Sequence, residues 1–196
     1  MPLWGTSDSD ESKPKNLTTA EKKEVYATNS GWVREAGSIL SGNGNTDADP
    51  EVLVAVSGLA DSIGAADVTE VEWITTTADK SEGFTLSVRV RYNEEVTVTG
   101  SPTIAVTNGN QGSGSGRGPH TLVYASGTGT NELVFSLAIA AANAATNAND
   151  VLSIGAQNIL KPGGATIKDT AGTNSDSAVA ISGAQGTAAG TLTVVA

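Results

Sequence analysis

The chain has no cysteine, one histidine, one methionine and few aromatic residues (three Trp, three Tyr, two Phe) among its 196 residues. Without cysteine there are no disulfides, no thiolate chemistry and no Cys-based metal sites. Positive charge is also scarce: 11 Lys and Arg face 21 Asp and Glu, giving a net charge of −10. A surface of that sign repels polyphosphate, so nucleic acid is not an expected partner. No apolar run is long enough to cross a bilayer. The longest candidate, Leu133 to Ala142, is short and carries Ser136, so no membrane span is expected. The opening MPLWGTSDSDESKPK lacks a basic stretch followed by an apolar one, so no secretory signal is read and the chain is expected to stay in the cell until lysis.

Gly, Ala, Thr, Ser, Asn and Val dominate instead. Thr and Val favour strands while Gly and Asn favour turns, so the composition predicts an all-β chain with a modest core of small aliphatics. Such a core is readily supplemented by self-association or by a partner surface.

The clearest pattern runs from Phe84 to Val106. Phe84, Leu86, Val88, Val90 and Tyr92 alternate with Thr85, Ser87, Arg89 and Arg91. A period of two places one set on each face of a strand, predicting a half-buried strand with a wet outer face that carries Arg89 and Arg91 beside Glu94 and Glu95. The Gly100-Ser101-Pro102 turn and a second strand at Thr103–Val106 follow. Further strands are predicted at Glu51–Leu59, covered on both faces, and at Val71–Thr75 with Trp73 as anchor. Others are predicted at Thr121–Ala125, Asn131–Ala140, Val151–Ile154, Gln157–Leu160, Ala165–Lys168, Ala178–Ser182 and Thr191–Val195. This count and spacing predict an immunoglobulin-like antiparallel β-sandwich over residues 71–196.

Residues 1–50 read differently. Thr18 and Glu21 have the spacing of a capping box, predicting one short helix. Trp4, Leu17, Tyr26, Trp32 and Val33 are large apolar residues scattered in a polar segment. They are the candidate partner-binding residues of an extended N-terminal arm, with packing onto the chain's own strands as the alternative. Residues 51–70 then serve as a strand and linker.

The chemistry-bearing candidates are few. Asn45, Asp47 and Asp49 alternate as in a calcium loop, but no glycine stands sixth and no acidic residue twelfth, so a solvated turn is expected and no metal. Gly109 to Gly118 lacks the Lys-Ser/Thr pair and the following helix of a phosphate loop, and is expected to be a mobile hairpin tip. His120 beside Pro119 is read as a turn residue. The pairs Glu94-Glu95 and Asp47/Asp49 have no acid–base partner at any telling spacing, so no catalytic residue and no cofactor is expected, and the protein is not expected to be an enzyme.

Three elements carry a family resemblance. They are Tyr92-Asn93-Glu94-Glu95-Val96-Thr97-Val98-Thr99-Gly100-Ser101-Pro102, Tyr124-Ala125-Ser126-Gly127-Thr128-Gly129 running on to Leu133 and Phe135, and Gly164-Ala165-Thr166-Ile167-Lys168-Asp169-Thr170-Ala171-Gly172. In this order they resemble a bacterial immunoglobulin-like repeat, found in surface adhesins and appended to tailed-phage structural proteins. Glu95 stands where that family usually has proline and Thr173 where it has asparagine, so the junction calcium of some relatives is not carried over. Met1-Pro2-Leu3-Trp4-Gly5, Val25-Tyr26-Ala27-Thr28 and Gly31-Trp32-Val33 are similar to openings of small structural proteins of marine cyanophage-type viruses. Together the resemblances imply a non-enzymatic virion protein assembled in the host cytoplasm. It would decorate or cement a capsid, docking by its arm on the major capsid protein or another virion protein, with strand addition at a sheet edge as one mode of binding. Tail, neck or fibre components, and an adhesion module binding host glycans, are the alternatives.

Overall fold

The computed structural model describes residues 13, 14, 16–42, 44–109, 118–143, 145–171 and 174–196. Of the chain, 47% is β-strand and 13% helix, so the all-β expectation is met. Helix α1 (Thr19–Lys23) leads into strands β1 (Val25–Thr28), β2 (Gly31–Arg34) and, after one 3₁₀ turn at Ile39–Ser41, β3 (Glu51–Ala55). Helix α2 (Leu59–Ser62) connects to β4 (Val68–Trp73), β5 (Ala78–Asp79), the long β6 (Gly83–Thr99), β7 (Thr103–Asn108), β8 (His120–Ser126) and β9 (Thr130–Ala140). The chain finishes with β10 (Val151–Ser153), β11 (Gln157–Asn158), β12 (Thr166–Asp169), β13 (Ala180–Ile181), α3 (Gly183–Ala189) and β14 (Thr191–Val195).

The described strands form a twelve-stranded mixed sheet in the order β3-β2-β1-β6-β9-β8-β7-β10-β14-β5, with β4 and β12 also on β6, and a separate β11–β13 pair. Most neighbours are antiparallel; the β1–β6 and β14–β5 contacts are parallel. Strand β6 is the hub. Its first half pairs with β9 from Gly83↔Ala140 to Arg91↔Glu132 and with β4 from Val68↔Tyr92 to Trp73↔Val88; its end pairs with β12. The expected alternation holds: Leu86, Val88, Val90 and Tyr92 are fully buried. They join Val71, Ile104, Val106, Leu122, Leu133, Phe135, Leu152, Ile167, Ile181 and Val194 in the main core. Tyr92 donates its hydroxyl to Ala178 O at 3.1 Å, so its buried oxygen is satisfied.

The second core is smaller. Val25, Ala27 and Trp32 meet Val56, Leu59 and Ala60, with Leu17, Leu53, Val54, Ile63 and Ala171 packed alongside. Residues read as an extended arm therefore lie, from Val25 onward, in a folded three-stranded unit. The reason is the β1–β2 hairpin, which returns Trp32 over Ala27, together with a turn at Gly31. Gly31 has φ +126°, and a Cβ there would come within 2.0 Å of Val54 O, so only glycine lets β3 close against β2.

Other local expectations shift. α1 carries the full Thr18–Glu21 capping box. Strand β3 stops at Ala55, and the rest of the expected strand becomes a turn and α2. It is also an edge strand, not a covered one, because among the described residues only β2 pairs with it. His120 opens β8 and is buried, where a turn residue was expected. Most of the Gly109–Gly118 expectation, like Trp4, lies outside the described residues.

Candidate functional site

The outer face of β6 is not wet where it was expected to be. The N-terminal unit lies over it, so the Arg91 side chain is only 7% exposed. Register explains its partners. Arg91 stands opposite Glu132 on β9 and Glu70 on β4, while Arg89 stands opposite Glu72 and Val134. Opposite charges across strands are favourable, and here they come in a row.

The Arg91 guanidinium has partners in both units. From the N-terminal unit, it donates through Nη1 to Lys23 O at 2.7 Å and to Glu35 Oε1 at 3.0 Å. From the main unit, Nη2 lies 2.6 Å from Glu132 Oε1 and Nε 3.4 Å from Glu72 Oε1. Glu35 Oε1 also accepts from Asn131 Nδ2 at 3.0 Å. Arg89 adds ion pairs to Glu72 at 3.0 Å and Glu132 at 3.4 Å, and Lys23 pairs with Glu70. Arg34, buried in β2, pairs with Glu21 at 3.4 Å and Glu51 at 3.6 Å, which ties α1 and β3 to the hairpin.

Burial and the neighbouring Glu132 carboxyl push Glu35 up to about 7, against the pull of Arg91. Glu35 and Glu132 lie side by side at this junction. They border a cleft of about 380 Å³ together with Tyr26, Ala36, Pro50, Glu95 and Thr130. Lys13 reaches the same junction, donating Nζ to Lys22 O at 2.8 Å. Burial, with Arg91 next in effect, brings it down to about 8.

A second buried acid lies a short way along β6. Glu94 faces Ala27 across the single parallel contact between the two units and is 0% exposed. Neither carboxylate oxygen has a hydrogen-bond partner. Burial, followed by Asp169, Asp67 and Asp61, pushes it up to about 8, so it is neutral at physiological pH. Among the described residues no group of three His, Cys, Asp or Glu is placed to hold a metal ion.

Of the expected partner-binding residues, Tyr26, Trp32 and Val33 are buried within the chain itself, and Leu17 is half-buried against the second core. The apolar groups this unit presents to solvent are others: Ile39 at 85% exposure, Leu40 at 49% and Val52 at 52%. Val52 lies on β3, whose outer edge accepts and donates no hydrogen bond among the described residues. Sequence reading had passed over Ile39 and Leu40. Two adjacent large aliphatics in a Ser/Gly-rich loop were the available signal.

No family model matches the chain, and no curated protein or solved structure matches it.

Proposed function

We propose that this is a non-enzymatic structural protein of a tailed-phage virion, one that decorates or cements the capsid and displays an immunoglobulin-like domain. The observation that carries the docking half of this reading is the open edge of β3 with exposed Val52 on it, together with exposed Ile39 and Leu40 in the loop between β2 and β3. A strand with one open edge and no proline or charge between Val52 and Ala55 is suited to accept a strand from a neighbour. Docking is thus assigned to the rim of the N-terminal unit, in place of the aromatic anchors, whose area already stabilises the chain's own fold. The display half rests on the antiparallel run β6-β9-β8-β7 with its alternating buried residues, and on the family resemblance of residues 71–196.

On a repeating lattice many weak edge contacts add through effective concentration, so a small docking surface suffices. The test uses the full chain carrying Ile39→Asp and Val52→Lys, produced during particle assembly. The expected result is a folded protein that no longer co-purifies with particles. Undiminished incorporation would overturn the docking assignment.

A further inference from the structure

Two units with separate cores meet across a seam that is mostly ionisable, and that seam contains more acid than base. We propose that the Arg91–Glu35–Glu132 cluster and Glu94 together form a proton-controlled latch that holds the N-terminal unit on the main sheet and loosens as these carboxyls ionise.

The geometry supports this at two points. At the first, Arg91 and Asn131 both donate to Glu35 Oε1, and the Glu132 carboxyl lies beside it. The charged groups facing Glu35 are Arg91 and Glu95 on β6, Glu132 on β9 and Lys13 on its own unit; Arg91 and Glu132 are themselves held by Arg89, Glu72 and one another. At the second, Glu94 is acted on by Asp169 on β12, Asp67 before β4 and Asp61 in α2, with no cation beside it among the described residues. A buried carboxyl with two unpartnered oxygens is tolerated as the neutral acid; ionised, it would be an uncompensated charge. Separating the units takes Ala27 and Asp61 away from Glu94, and Glu35 away from Arg91 and Glu132, so both carboxyls move back toward their ordinary value near 4.5.

The sign follows. Both acids are raised in the closed state, so their contribution is fully present below about pH 4.5 and is lost as pH rises through about 7 for Glu35 and about 8 for Glu94. Lys13 acts in the opposite sense. Depressed to about 8 in the closed state, it restores closure only between there and its ordinary value of 10.5. The seam is therefore weakest near pH 8. From pH 6 to pH 8 proton linkage raises the opening constant about fiftyfold through Glu94 and about tenfold through Glu35, several hundredfold together.

Amide hydrogen exchange on the full chain tests this, comparing Val25–Arg34 with the β6–β9 ladder and correcting for the intrinsic pH dependence of exchange. The expected result is a several-hundredfold loss of protection between pH 6 and pH 8 in the first segment, with little change in the second. Glu35→Gln keeps the Oε1 acceptor without the ionisation, and Glu94→Gln copies the neutral acid. Each should remove its own share of the slope and raise protection at pH 6, because glutamine cannot ionise in the open state as the acid does above its ordinary value near 4.5. If Glu94→Gln fails to fold, the tenfold share of Glu35→Gln still decides. Protection that is flat with pH in the wild type, or a slope unaltered in the variants, would overturn the latch.

Discussion

Arg91→Leu removes a buried side chain that joins the two units. Its guanidinium meets Lys23 O at 2.7 Å, Glu35 at 3.0 Å, Glu132 at 2.6 Å and Glu72 at 3.4 Å, with 7% of the side chain exposed. Breaking a buried ion pair from one side typically costs about 3–5 kcal/mol, because the partner is left as an uncompensated buried charge. Here the abandoned carboxyls can take up protons, so the cost depends on pH. It should reach the full ~3–5 kcal/mol near pH 8, where Glu35 is ionised, and fall to roughly half near pH 5, where it is not. The control is Arg89→Leu. Arg89 belongs to the same row of charges but its side chain is 31% exposed, so its pairs with Glu72 and Glu132 are screened and its loss should cost at most ~1 kcal/mol. Urea unfolding at both pH values, followed by circular dichroism and by tryptophan emission, gives the four numbers. Equal effects of the two substitutions, or a cost for Arg91→Leu below about 1 kcal/mol at pH 8, would refute the reasoning that burial sets the value of this network.

Three further substitutions probe the rest of the fold. Gly31→Ala forces a side chain into positive φ and against Val54 O, so the N-terminal unit should open. The sign is a red shift of Trp32 emission while the main-sheet amides stay protected. Phe135→Ala, in the middle of the main core, should cost about 3–5 kcal/mol in equilibrium unfolding, since the fully buried ring meets Tyr124 edge-on at a centroid distance of 6.1 Å. Tyr92→Phe leaves Ala178 O without its buried donor and should cost about 1–2 kcal/mol with no change in the circular dichroism spectrum.

The strand content was legible because it rests on local alternation. Phe84 to Tyr92 announces β6, Leu133 to Ile139 announces β9, and Thr191–Val195 is the strand that was expected there. What covers a strand is a long-range fact, and there the reading stopped. Arg91 has the same alternation signature as an exposed arginine, and nothing near it in the sequence says that Glu35, 56 residues earlier, will be folded over it. The second core was hidden for the same reason: Val25, Ala27 and Trp32 find their partners only at Val56, Leu59 and Ala60, beyond a polar loop. Helix α3 did carry a signal in Ser182 and Gln185, which form a capping box. Gly183 and Gly186 masked it, and Gly186 is there because a Cβ would come within 2.1 Å of Ile154 O. The candidate residues Tyr26, Trp32 and Val33 show the limit of composition. Large apolar residues in a polar segment signal burial, and the fold supplies that burial within the chain.

We propose that the N-terminal unit, through the edge of β3, holds this protein on a virion while the remaining strands are displayed. Imaging of purified particles that carry a label fused after Ala196 measures this most directly. The account predicts label density at regular positions on the capsid, standing off the shell, and its loss when Ile39→Asp and Val52→Lys are introduced. Label found only in the particle-free lysate, or density that survives both substitutions, would contradict it.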